Sequence, residues 1–200
     1  MTGIDPRIDP MAAPATTVSA WNIANGLTML RLLLVPFFAA ALFHLDGHVT
    51  GWRVTACVIF GVASLTDRID GEIARKRGLI TEFGKLADPI ADKALTGTAL
   101  VGLSMLGDLQ WWVTVVVLVR EVGVTLLRFW VIRHGVMAAS RGGKVKTLLQ
   151  GVAIGLLLLP LTGALHLAAS LVMAAAVVLT VVTGLDYVAR AVRLRRVVRA

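Results

Sequence analysis

Four aspartates, Asp67, Asp70, Asp88 and Asp92, lie within the segment LTDRIDGEIARKRGLITEFGKLADPIADKAL, residues 65–95. Asp67 and Asp70 are spaced i, i+3, and Asp88 and Asp92 i, i+4, so on helices each pair shares one face. The connection 76–81 is short, which makes the two helices antiparallel neighbours and lets all four carboxylates converge. An unpaired ionised carboxylate is costly near a bilayer interior, and four together repel one another. Two compensations are open. Arg68, Arg75 and Lys93 pair with the acids in a network at a helix end, or divalent cations bind. All-oxygen ligation suits hard ions such as Mg²⁺ or Mn²⁺, and four Asp charges match two divalent ions, an arrangement suited to phosphoryl chemistry. Gly71, Ala74 and Gly84 stand beside these acids. Small residues at such points serve either close approach of a ligand or tight helix packing.

The elements that position the acids are apolar helices. The chain is 57% hydrophobic with mean hydropathy +0.81, against about 45–50% apolar residues in ordinary soluble domains. Six apolar stretches, 28–45, 54–74, 83–106, 111–132, 148–161 and 165–188, approach the ~20 residues that span a bilayer core. The fifth is short and is expected to extend through Lys146. The fold class expected is an all-α integral membrane protein of six transmembrane helices. Basic residues set its orientation. Arg75, Lys76, Arg77 and Lys85 lie between spans two and three. Arg133, Arg141, Lys144 and Lys146 lie between four and five, and Arg190, Arg193, Arg195, Arg196 and Arg199 follow span six. The alternate connections are poor in them, so both termini and the aspartates are expected at the cytoplasmic face. Net charge is +8. With the basic residues beside apolar segments, the expected partners are membrane lipids and an anionic substrate, not nucleic acid.

Residues 1–20 contain Pro6, Pro10 and Pro14 and no apolar run, which predicts a flexible cytosolic tail and no secretory signal. Residues 21–190 form the membrane domain and 191–200 a basic cytosolic tail. The one cysteine, Cys57, excludes a disulfide within the chain and is expected to be a small buried hydrophobe. Trp111, Trp112 and Trp130 are expected as interface anchors, and the C-terminal arginines as leaflet anchors. His44, His48, His134 and His166 lack metal spacing and are expected at the surface. Pro36 and Pro160 are expected to kink or end helices.

Together the acids and small residues read Asp67-x2-Asp70-Gly71-x2-Ala74-Arg75-x8-Gly84-x3-Asp88-x3-Asp92. This pattern matches, at every fixed position, the signature of the CDP-alcohol phosphotransferase family. Eight fixed positions at roughly 7% background each give a chance match on the order of 10⁻⁷ for this length. The chain also resembles the bacterial, and in particular actinobacterial, branch that makes phosphatidylglycerophosphate. That likeness rests on NIANGLTMLRLLLVPFF (22–38), REVGVTLLRFWVIRHGV (120–136) and GGKVKT (142–147), and the whole resemblance covers about 22–187. Ala24 departs from it, since the family usually has proline there.

The resemblance implies six membrane helices around a cavity open to the cytosol and the inner leaflet. It implies that Asp67, Asp70 and Asp88 bind two divalent ions, Mg²⁺ or Mn²⁺. Asp92 would complete the metal site and act as general base. Gly71, Ala74 and Gly84 would make room for the cytidine nucleotide, with Arg75 near its phosphates and Thr28 and Arg31 on the nucleotide side. Its substrates would be CDP-diacylglycerol and glycerol 3-phosphate, its products phosphatidylglycerophosphate and CMP, its location the cell membrane as a multi-pass protein, and its assembly a homodimer. The acceptor brings its own phosphate, for which Arg120, Arg128, Lys144 and Lys146 are candidate ligands. Each has another reading: Arg120 pairs with Glu121 or the acidic cluster, and Lys144 and Lys146 anchor to the leaflet. Arg31 either reaches a phosphate or snorkels to the interface. The same aspartates would serve other acceptors, inositol phosphate or phosphatidylglycerol (forming cardiolipin). Intramembrane carboxylates also occur in metal or proton transporters. Against a transporter, the acids sit at one end of the helices, with no matching partner on the outer side.

Overall fold

The computed structural model describes residues 23–77, 81–132 and 141–199, and among them it is built from six α-helices and no strand. These are α1 (Ile23–Phe43), α2 (Thr50–Arg77), α3 (Glu82–Met105), α4 (Trp111–Ile132), α5 (Arg141–Leu158) and α6 (Gly163–Arg199). A 3-10 turn, His44–Gly47, joins α1 to α2. Asp70, Gly71, Ala74, Arg75, Arg128 and Lys144 are placed by their backbone only. The tail expected at 1–20 and the connection containing Arg133 and His134 lie outside the described residues.

The all-α class agrees with the sequence. Each expected apolar stretch falls on its own helix, and α5 does begin ahead of Lys146, at Arg141. The basic C-terminus is helical backbone too, because α6 runs unbroken through Arg199. At 1.5 Å per residue, the 37 residues of α6 extend ~55 Å, longer than a bilayer core requires. Pro160 lies just past the end of α5, as its missing N–H predicts, whereas Pro36 is accommodated inside α1. In the α1–α2 turn, Leu45, Asp46 and Gly47 all have positive φ, which reverses the chain.

The helices close into a ring in the order α1–α2–α5–α6–α4–α3, with α3 also touching α2 and α5 across it. Alanines make the close approach possible: Ala56, Ala63, Ala91, Ala99, Ala153 and Ala169 are fully buried. Phe38 and Phe60, with ring centroids 6.0 Å apart, fill the space between α1 and α2. The outer surface is apolar. Leu33, Phe37, Val62, Val119, Leu171 and Leu185 are each more than half exposed. Two stretches, Asn25–Gly47 and Gly163–Ala189, are long and apolar enough to cross a membrane by length and composition. Large apolar patches facing outward and arginines facing inward invert the pattern of a soluble domain.

Arg53 shows why the inversion holds together at the end of the bundle away from the aspartates. Its side chain is buried at the start of α2. Nε donates to Leu158 O at 2.9 Å and Nη2 to Leu157 O at 2.8 Å, capping carbonyls that the end of α5 leaves open. Nη1 donates to Asp108 Oδ2 at 2.5 Å, in the α3–α4 connection, and to Gly47 O at 3.4 Å. One guanidinium thus joins three connections, which a lysine, with one nitrogen, cannot reproduce. Replacing Arg53 with Met leaves Asp108 and three carbonyls uncompensated. We expect a loss of about 3–5 kcal/mol, read as a lower thermal midpoint in detergent, with Arg53→Lys recovering only part. An unchanged midpoint would show that the network adds nothing.

Candidate functional site

A cavity of about 200 Å³ opens between α1, α2, α3, α4 and α5, and Asp67 and Asp92 both line it. The two acids come from adjoining helices. Asp67 is on α2 and Asp92 on α3, and the connection between these helices is short. Thr81 sets the start of α3. Its Oγ1 accepts from the N–H of Gly84 at 3.0 Å and donates to Asn25 Oδ1 of α1 at 2.9 Å. A cap of this kind orients the first turn of the helix that carries Asp88 and Asp92.

The structure shows partners for the acids that the sequence did not suggest. Arg31, 1% exposed, donates from Nη1 to Asp67 Oδ1 at 2.6 Å. Arg31 therefore points into the bundle and lines the cavity; it does not snorkel. Thr28, one turn earlier on α1, donates from Oγ1 to Asp88 Oδ1 at 2.5 Å. The two residues assigned to the nucleotide side are thus held against two of the four acids, one pair on α2 and one on α3. Lys93, read as a partner for the aspartates, instead reaches Glu121 of α4, Nζ to Oε2 at 3.3 Å.

Glu121 is the residue that sequence reasoning undervalued. Residue order marks it only as the neighbour of Arg120, yet it collects three cations. Besides Lys93, Arg120 Nη1 lies 3.3 Å from Oε1, and Lys146 Nζ of α5 bonds to the same oxygen. The signal available was a carboxylate inside an apolar run, which must find charge within the protein. Lys146 is 2% exposed and lines the cavity, so it is neither at the surface nor reaching toward headgroups. Arg120 takes the ion-pair alternative. It also donates from Nη2 to Thr183 Oγ1 of α6 at 3.0 Å, packs over Gly184 and is absent from the cavity wall. Arg128 and Lys144 lie near the ends of α4 and α5 on the same side as Asp67.

Gly84 is buried, and a Cβ there would stand 2.9 Å from Asn25 Oδ1 and 3.2 Å from Thr81 Oγ1. Its missing side chain lets α3 lie close against α1. Gly71, Ala74 and Arg75 lie along the last turns of α2, beyond Asp67.

The donors at this end suit a hard divalent cation in kind, being carboxylate oxygens from two adjoining helices. Among the described residues, no three acidic, histidine or cysteine side chains come together as an ion-binding group. Asp67 and Asp92 face one cavity, and Asp88 stands one turn before Asp92, turned to Thr28. A fourfold site would also draw on Asp70, one turn from Asp67 on α2, and among the described side chains Arg31 pairs with Asp67.

The chain that carries this site is similar to known proteins. The family model described as CDP-alcohol phosphatidyltransferase matches residues 21–182. The chain is 63% identical over 172 residues to the probable phosphatidylglycerophosphate synthase of Mycobacterium tuberculosis (strain H37Rv), covering 86% of this chain and 82% of that one. It is 35% identical over 180 residues to the CDP-diacylglycerol–glycerol-3-phosphate 3-phosphatidyltransferase of Bacillus subtilis (strain 168), covering 84% and 93%. With the protein of that name in Escherichia coli (strain K12) it shares 40% over 144 residues, covering 69% and 77%. A match that spans all six helices but the end of α6, and includes every one of the eight signature positions, makes this chain a member of the CDP-alcohol phosphatidyltransferase family.

Proposed function

We propose that the chain transfers the phosphatidyl group of CDP-diacylglycerol to glycerol 3-phosphate, forming phosphatidylglycerophosphate and releasing CMP. The observation that carries this reading is the meeting of Asp67, Asp92, Arg31 and Lys146 at one cavity. The chain also keeps 63% identity to a probable phosphatidylglycerophosphate synthase. The acceptor hydroxyl attacks the lipid phosphorus, a P–O bond forms, the pyrophosphate P–O bond breaks and CMP leaves. Such a transfer depends on positioning and charge neutralisation more than on covalent help. Asp92 takes the proton as the attacking oxygen loses it. Lys146, with Arg128 and Lys144, binds the acceptor phosphate, while Thr28, Arg31, Gly71, Ala74, Arg75 and Gly84 form the nucleotide side. Asp67, Asp70, Asp88 and Asp92 would hold Mg²⁺ or Mn²⁺, which when bound would neutralise pyrophosphate charge and so favour departure of CMP.

The substrates explain the architecture. Diacyl chains require a site reachable from lipid, and the sugar phosphate requires a wet, positive mouth. All six helices cross the cell membrane in this reading, with both termini and the aspartates at the cytoplasmic side. The outward apolar residues and the basic residues at 75–77 and 141–146 support it. Residues 1–20 and 191–200 are cytosolic extensions of the domain 21–190, and the protein pairs as a homodimer.

Purified protein with CDP-diacylglycerol, Mg²⁺ or Mn²⁺ and one acceptor at a time tests the reading. CMP release is expected with glycerol 3-phosphate, not with inositol phosphate or phosphatidylglycerol, and chelation should stop it. Consumption of inositol phosphate in place of glycerol 3-phosphate would refute the acceptor assignment. Asp92→Asn should reduce kcat by about 10²–10⁴-fold, the range for a lost general base, while CDP-diacylglycerol binding measured by calorimetry persists. Lys146→Met removes a charge-assisted contact, so KM for glycerol 3-phosphate should rise about 10- to 100-fold with little change for the lipid. Equal rises for both substrates would remove Lys146 from the acceptor site.

A further inference from the structure

We propose that Gln150 is a specificity-determining residue of this site: its side-chain amide oxygen accepts a hydrogen bond from the acceptor hydroxyl that does not attack. The inference rests on the function proposed above and names one contact within it. Gln150 lies on α5, is 4% exposed and lines the same cavity as Asp67 and Asp92. Its Oε1 is buried and has no hydrogen-bond partner. Lys146 precedes it by four residues, so cation and amide share one face of α5.

A buried acceptor without a donor costs stability, and native proteins rarely keep one unless the site uses it. Leucine or methionine would fill the same volume with no such cost. What Oε1 lacks is a hydrogen, which narrows the ligand group that suits it. A phosphate dianion has none to give, whereas a hydroxyl has one. Glycerol 3-phosphate carries two hydroxyls, and the attacking one surrenders its proton to Asp92. The middle hydroxyl keeps its proton and can donate it. Lys146 at the phosphate and Gln150 one turn along α5 then hold the acceptor at two points, which directs the terminal hydroxyl toward Asp92 across the cavity. The terminal torsion of glutamine is soft, so the amide turns to meet a ligand without disturbing α5.

The test compares glycerol 3-phosphate with propane-1,3-diol monophosphate, which keeps the phosphate and the attacking hydroxyl but lacks the middle one. CMP release from CDP-diacylglycerol is followed with full-length wild type and Gln150→Met. Wild type is expected to favour glycerol 3-phosphate by about tenfold or more in kcat/KM. Gln150→Met should lose about that factor for glycerol 3-phosphate and change little for the analogue, so that the preference disappears. Activity on the analogue reports that the variant is folded. Gln150→Leu, of similar size without the amide, is expected to behave alike. If both substrates suffer equally in both variants, Gln150 is structural and the proposal fails. A wild type that uses glycerol 3-phosphate yet shows no preference also overturns it, while leaving the proposed function intact. A wild type inert toward glycerol 3-phosphate but active with inositol phosphate overturns the function itself, and this inference with it.

Discussion

Charge inside this bundle has to be balanced by side chains of the bundle, because the outward surface is apolar. Glu121 and Arg31 are the two residues on which that balance turns. Glu121 holds Lys93, Arg120 and Lys146, so one carboxylate ties α3, α4 and α5. Arg31 holds Asp67 and ties α1 to α2. Remove either, and several like charges face one another in a medium where their repulsion is poorly screened.

The same pairings explain how a cavity lined by charges persists within an apolar shell. Its wall is a mosaic: acids from α2, α3 and α4, cations from α1, α3 and α5, and apolar residues such as Phe60 and Ile154 between them. α3 supplies both an acid, Asp92, and a cation, Lys93, so a charged substrate entering the cavity meets both signs. Lys146 is placed for an anion, yet its charge is already shared with Glu121. That sharing keeps the ammonium oriented before a ligand arrives, which limits the ordering a ligand must supply. Arg53 performs the parallel task at the far end, where its guanidinium donates to Asp108 and to carbonyls of Gly47, Leu157 and Leu158.

The small residues divide along the same line. Buried alanines on α2, α3, α5 and α6 let helices approach one another, and Gly84 brings α3 against Asn25. The side chains removed at these points allow the polar pairs to reach across interfaces, since Thr28 can bond to Asp88 only when α1 and α3 lie close. Packing and chemistry are therefore not separate uses of the signature's small positions. Close packing sets the distances on which the polar contacts depend.

Helix number, the acids' membership of two adjoining helices and the basic character of one end were legible in residue order. Hydropathy runs, i, i+3 and i, i+4 spacing and the placement of Arg and Lys are local properties, and a chain of helices with short connections leaves few alternatives. Family membership was legible for a related reason, since eight positions at set spacing encode a shared local geometry. The partners were not legible. Nothing in residue order says that Asp67 meets Arg31, 36 positions away, or that Lys93 prefers Glu121 to the neighbouring aspartates. Nor does it say that Arg120 turns toward α6 while Lys146 turns inward, or that Gln150 is left with an unmatched oxygen. Those outcomes depend on the rotation of each helix about its axis and on which helices become neighbours in the ring. Only the mutual packing of all six decides that, because each charged side chain takes the opposite charge that packing brings within reach.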